Sequence, residues 1–242
     1  MTITSPHNER LKEVRKLARR RAREQSGRFV AEGEDLLAAA HAAGWPALET
    51  YVAAGSGLAG TEVEAEALAA VSQLGSGTRA LAVYEQRWAP APAGPLCVAL
   101  HGIADPGNVG TILRSALAFG ASSVALGPDC ADPYGPKAVR ASMGALFAVP
   151  LARFAAVEEL PGETVALDAH AGEPIASPPT PTAGGTTILI GAERAGLPAD
   201  VQAACGRIAR IPIRSESLNA AMAATVALYE LTRTADHRMG AA

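Results

Sequence analysis

The chain has 242 residues, 49% hydrophobic and 19% charged; at roughly 100 to 200 residues per domain it can build one large or two modest domains with a real core. That balance excludes disordered and collagen-like chains, and 4% aromatic content argues against a ring platform that stacks single-stranded bases. The net charge of −3 hides an asymmetry, since residues 1–30 hold nine Lys and Arg against three Glu, a block of +6 on a remainder at −9.

Leu11, Val14, Leu17, Ala18 and Ala22 in that block recur at helical spacing, so one amphipathic helix is expected, with an apolar stripe inward and the cations outward. Arg10, Lys12, Arg15, Lys16, Arg19, Arg20 and Arg23 are the expected contacts to RNA phosphates, because a basic array on an acidic protein is the footprint of a phosphate-backbone binder. A solvated helix face is the plainer reading of the same residues. Beyond Gly27 follow a short apolar piece at 28–31, a helix at 35–43 stopped by Gly44, a strand at 51–54, a helix at 63–74 and a strand at 80–84. This is a small α/β unit.

Residues 88–95 carry three prolines, which join neither a central strand nor a helix interior. The domain boundary is placed there, giving domains 1–88 and 96–242. The second opens with a buried strand at 96–100, a glycine-rich turn and a helix at 109–119 ending at Gly120. Further strands are expected at 123–126, 145–149, 164–167, 187–190 and 208–213, with helical segments near 137–144, 155–160, 198–204 and 218–235. Strands alternating with helices imply an α/β fold with a mostly parallel sheet covered on both faces. The proline- and glycine-rich stretch 171–187 reads as a loop.

Cys97, Cys130 and Cys205 are odd in number and widely spaced, with no CxxC and no paired histidines, so neither disulfides nor a structural metal is expected. No apolar run approaches the roughly 18 residues of a membrane span, and the arginine-rich start has no apolar h-region. A soluble, cytoplasmic protein with no membrane partner is expected.

Three segments stand at the carboxyl ends of expected strands, where open α/β sheets bind ligands. The first is His101-Gly102-Ile103-Ala104-Asp105-Pro106-Gly107-Asn108-Val109-Gly110, with Arg114 six residues after Asn108. It is neither GxGxxG nor GxxxxGK[ST], so the usual nucleotide fingerprints fail on spacing. The second, Ile190-Gly191-Ala192-Glu193-Arg194-Ala195-Gly196, sets one carboxylate between two glycines. The third, Ile211-Pro212-Ile213-Arg214-Ser215-Glu216-Ser217-Leu218-Asn219, opens a helix apolar nearly all round, and helix capping alone would account for Ser217 or Asn219.

In this order the three segments resemble the SPOUT superfamily, specifically its SpoU or TrmH branch of RNA ribose 2′-O-methyltransferases, over most of residues 96–235. The amino-terminal part is similar to the ribosomal protein L30e-like substrate-binding domain of that branch, through Asn8-Glu9-Arg10-Leu11-Lys12 and Gly27-Arg28-Phe29-Val30-Ala31-Glu32-Gly33. The third motif departs from the family pattern, with only Arg214-Ser215-Glu216 between its Ile-Pro-Ile start and Ser217. The resemblance implies S-adenosyl-L-methionine as methyl donor, held by backbone atoms at Gly191, Ile211 and Leu218 in a deep trefoil knot, and a homodimer. It also implies that Arg114 acts on the target hydroxyl, Asn108 and Glu193 fix that arginine and the ribose, and Ser217 and Asn219 orient the nucleotide. The substrate implied is 23S ribosomal RNA. A transfer-RNA substrate, an inactive RNA-binding protein of the same fold and a small-molecule α/β dehydrogenase are the alternatives, the last opposed by the missing fingerprint glycines.

Overall fold

The computed structural model describes residues 2–73, 77–176 and 184–239, with side chains up to residue 233. Two compact units are present: Met1–Arg87 with Asp132–Ala148, and Trp88–Ala131 with Val149–Ala242. In chain order the elements are α1 (Glu9–Lys16), α2 (Arg20–Ser26), β1 (Arg28–Glu32), α3 (Glu34–Ala42), β2 (Glu49–Ala53), β3 (Thr61–Val63), α4 (Ala65–Ala69) and β4 (Ala80–Glu85). They continue with β5 (Leu96–Leu100), α5 (Pro106–Ala118), β6 (Ser123–Leu126), α6 (Pro136–Ala141), α7 (Ala145–Ala148), β7 (Leu151–Arg153), β8 (Glu163–Leu167) and β9 (Glu173–Pro174). The last are β10 (Thr186–Ile190), α8 (Ala199–Ala204), β11 (Arg207–Arg210) and α9 (Ala220–Met239).

The first unit is a four-stranded sheet in the order β1-β4-β2-β3, with β4 antiparallel to both neighbours and β3 parallel to β2. Alternation along the strands gives each face its own packing. Leu81, Val83 and Tyr51 meet Leu11, Val14, Leu17 and Leu68, whereas Phe29 and Tyr84 join Trp45, Tyr134 and Phe147 in a ring cluster. The single helix expected across residues 11–22 is two helices, because Arg19 is extended (φ −93°, ψ 132°). The break leaves the carbonyls of Leu17 and Ala18 without helical partners, and the Arg23 guanidinium donates to both, at 2.8 and 2.9 Å.

The strand expected at 145–149 is instead the helical turn α7, which sends Phe147 into the ring cluster, 5.2 Å from Trp45. A short apolar run does not distinguish a strand from a buried helix. The strand, β7, comes just after it, at Leu151–Arg153. Of the helix expected at 63–74 only α4 forms, Val63 ending a strand, and residue 74 lies outside the described residues. The helical segment near 155–160 is a single 3-10 turn, Val157–Glu159. Within the expected loop 171–187, the two-residue strand β9 pairs with β11, and residues 177–183 lie outside the described residues.

The second unit is a seven-stranded sheet in the order β7-β6-β5-β10-β8-β11-β9, every pair parallel. Its central strands are apolar along their length, as strands buried on both faces must be; Val98, Ala99, Val165, Ile188 and Leu189 have no exposed surface. All strands of a parallel sheet end on one side, so β5, β8, β10 and β11 deliver their following loops to the same edge. After β11 the chain returns as α9 to pack on α5 and β10.

Candidate active site

Four strand ends build the site in the second unit. After β5, Gly102 takes a left-handed φ of +70° and turns the chain towards α5. Asp105 caps that helix by accepting from the Gly107 N–H at 2.6 Å, and Pro106 fills the first helical position, where a missing N–H costs nothing. Asn108 is thereby fixed in the first turn of α5.

After β10, Ala192 and Gly196 exchange backbone hydrogen bonds of 3.1 and 2.9 Å, closing a loop with Glu193, Arg194 and Ala195 at its tip. Only glycine fits at 191, since a Cβ there would lie 2.3 Å from the Gly196 carbonyl carbon and 2.4 Å from the Leu197 nitrogen. Gly191→Ala is therefore expected to open this loop before it unfolds the sheet and, if the loop holds the S-adenosylmethionine that the sequence resemblance implies, to abolish that binding. Calorimetric titration with S-adenosylhomocysteine, beside circular dichroism, checks this; unchanged affinity contradicts it.

At the start of α9 the Asn219 Oδ1 accepts from the Ala221 and Met222 N–H groups, at 2.9 and 3.3 Å, so Asn219 rather than Ser217 is the cap. Its Nδ2 donates to Asn108 Oδ1 at 3.0 Å, and Asn108 Nδ2 donates to Glu193 Oε1 at 2.7 Å. One hydrogen-bonded line thus joins three sequence motifs up to 111 residues apart. A second contact between the same helices, Ser115 Oγ to Thr225 Oγ1 at 2.6 Å, holds α5 against α9.

Beside this line lies a cleft of about 240 Å³. Gly191, Ile211 and Leu218 all line it, with Ser217 and Glu193. Asn108, Asn219 and Arg114 do not line it. Arg114 is exposed on α5; at 100° per residue, six residues place it about 120° round the helix from Asn108. It makes no hydrogen bond or ion pair among the described residues. Sequence reasoning missed Asp168, His170 and Arg194, which also line the cleft. Asp168 directly follows β8, and its place at a strand end was the signal that could have found it.

In the first unit the basic block is laced with exposed ion pairs: Arg10 with Glu49, Lys12 with Glu9, Lys16 with Glu13 and Arg20 with Glu24, at 2.6 to 3.0 Å. Such pairs are worth about 0–1 kcal/mol, so a phosphate can displace the carboxylate. Arg15 donates to the Pro6 carbonyl at 3.2 Å and, like Arg19, is exposed. Arg23 corrects the sequence expectation. It is 4% exposed, its guanidinium held by Asp132 at 2.7 Å and by the carbonyls freed at the helix break, so it faces the interior and not an RNA. Among the described residues no group of three or more His, Cys, Asp or Glu is placed to hold a metal ion, and no helix is long and apolar enough to cross a membrane.

An all-parallel sheet whose strand ends bring the three motifs together beside one cleft defines an α/β protein with a ligand site at the carboxyl edge of its sheet. A model of the SpoU rRNA methylase family matches residues 95–229, and one of the MRM3-like substrate binding domain matches residues 8–86. The chain belongs to the SpoU rRNA methylase family. An uncharacterized tRNA/rRNA methyltransferase of Synechocystis, slr1673, is 32% identical over 96% of this chain and 93% of its own length. The 23S rRNA (guanosine(2553)-2′-O)-methyltransferase RlmP of Bacillus subtilis is 27% identical over 95% of this chain and 98% of its own. The structure of an AdoMet-bound rRNA methyltransferase from Sinorhizobium meliloti superposes with a TM-score of 0.86 at 30% identity, covering 97% of this chain and 98% of that one.

Proposed function

We propose that this chain transfers a methyl group from S-adenosylmethionine to a ribose 2′-hydroxyl of 23S ribosomal RNA. The observation that carries the reading is the Glu193–Asn108–Asn219 line beside the cleft, because it assembles the residues of three separate motifs at one sheet edge. The cleft suits the donor: Leu167, Ile190, Ile211 and Leu218 offer apolar surface to the adenosine and thioether parts, and Glu193 offers a carboxylate to its cationic groups. Gly191, Ile211 and Leu218 hold it through their backbone. When bound, it supplies a methyl group made electrophilic by a sulfonium sulfur.

The protein's own groups align the nucleophile and steady its developing charge. A guanidinium that stays protonated is a poor base, so Arg114 stabilises the forming alkoxide. Asn108 and Glu193 fix the ribose, and Ser217 and Asn219 orient the target nucleotide. Residues 96–242 form the catalytic domain, with α9 threading back over α5 and β10 as the closing pass of a trefoil knot. Residues 1–88 form an L30e-like substrate-binding domain, which takes Asp132–Ala148 into its unit. Exposed Leu117, Met222 and Tyr229, on α5 and α9, support a homodimer through these helices, working in the cytoplasm, where its RNA is.

The test is transfer of labelled methyl to unmodified 23S rRNA, with transfer RNA alongside. Incorporation stable to alkali at one ribose supports the reading; incorporation into transfer RNA alone, or none with the cofactor still bound, replaces the substrate, and none at all without cofactor binding leaves an RNA-binding protein. Binding should weaken with salt, log Kd rising with log salt. Arg15→Ala and Arg19→Ala should each reduce that slope by about 1 if they meet one phosphate apiece, whereas an unchanged slope removes them from the RNA surface.

A further inference from the structure

The cleft holds a carboxylate that neither the motifs nor the reading above requires. Asp168 follows the last residue of β8, and both of its oxygens are held: Oδ1 accepts from the His170 backbone N–H at 2.7 Å and Oδ2 from Gln202 Nε2 at 3.0 Å. Gln202 is itself braced by donating to the Leu197 carbonyl at 2.9 Å. Both partners of Asp168 are neutral, and no Lys or Arg pairs with it among the described residues, so the carboxylate is fixed in place without its charge being cancelled.

The surrounding charge has the same sign. Three carboxylates line the cleft, Asp168, Glu193 and Glu216, against one guanidinium, Arg194, a net −2 from these four side chains. Glu193, Glu216 and Arg194 are exposed and Asp168 is half-buried, so Asp168 acts where water screens least. A concave negative site favours ligands by charge as well as by shape. The methyl donor carries a sulfonium and an ammonium against one carboxylate, net +1. Its demethylated product, S-adenosylhomocysteine, has nearly the same shape and no net charge.

We propose that Asp168, held by Gln202, makes this cleft select the cationic methyl donor over its uncharged product. The inference rests on the methyltransferase reading and adds to it a residue that sets cofactor selectivity. Its consequence is that loss of the positive charge in the reaction weakens the grip on what remains, so product release is favoured and product inhibition is slight.

The test is calorimetric binding of S-adenosylmethionine, S-adenosylhomocysteine and sinefungin, which carries an amine near the sulfonium position, to the full chain. The wild-type protein should prefer the two cations, and that preference should shrink as salt is added. In Asp168→Asn the two cations should bind about fivefold more weakly, the equivalent of about 1 kcal/mol for a partly screened charge pair, with the product within about twofold of wild type. Asp168→Glu should keep the preference, and thermal unfolding of both variants shows whether they are folded. Equal weakening of all three ligands in Asp168→Asn, or a preference that survives it, overturns the inference while leaving the methyltransferase reading intact. Failure of the wild-type protein to bind any of the three overturns both.

Discussion

Replacing Arg114 by alanine should lower kcat for methyl transfer by about 10²- to 10³-fold, the usual effect of removing one group aimed at developing negative charge. The effect should fall on kcat because the alkoxide exists only as the methyl group moves; an interaction made only then changes turnover and not ground-state binding. The fold should not notice, since Arg114 is exposed and α5 is anchored by other residues, with Val109, Ile112, Leu113 and Ala116 fully buried. Arg114→Lys should recover part of the activity at most, because an ammonium keeps the charge but not the planar fork. Single-turnover methylation of 23S rRNA at saturating cofactor reads both variants. Near-normal kcat in Arg114→Ala with a raised KM for RNA would reassign Arg114 to a phosphate contact.

Period and punctuation made much of the second unit legible. Apolar runs of four or five residues gave β5, β6, β8 and β10, and Gly120 marked the end of α5. Where two structures satisfy the same local pattern, sequence was silent: 145–149 is apolar either as a strand or as the turn that buries Phe147. The break between α1 and α2 was hidden for a different reason. No glycine or proline marks it, and its stabiliser, Asp132, is 109 residues from Arg23. The site behaved likewise. Asn219 had an ordinary local explanation as a helix cap, and only the order of the three motifs along the chain pointed to one place. The bonds between them span 85 and 111 residues, beyond any local rule. Asp168 had no motif at all, its role resting on a strand end and on Gln202, 34 residues further on.

Arg23→Ala should destabilise the first unit by about 3–5 kcal/mol, the range for removing one partner of a buried ion pair. The arginine side chain is 5% exposed and that of Asp132 is 13% exposed, so the deletion strands a carboxylate in poor contact with water. It also orphans the carbonyls of Leu17 and Ala18, each of which loses a donor near 2.8 Å. Arg23→Lys should rescue little, because one ammonium cannot serve the carboxylate and both carbonyls as the fork does. Arg23→Ala combined with Asp132→Ala should lose less than the two single changes together, since the stranded charge is gone. The chain supplies its own reporters. Trp45 belongs to the first unit, its Nε1 donating to the Phe147 carbonyl at 2.9 Å, while Trp88 belongs to the second, beneath Arg153. Urea unfolding of a Trp88→Phe background should therefore show the Trp45 transition moving to lower urea in Arg23→Ala, and a Trp45→Phe background should show the Trp88 transition nearly unmoved. Coincident shifts of both would mean that the units unfold as one. The same contacts predict that residues 1–88 alone do not fold stably: they lack Asp132 for Arg23, and Tyr134 and Phe147 for the ring cluster around Phe29.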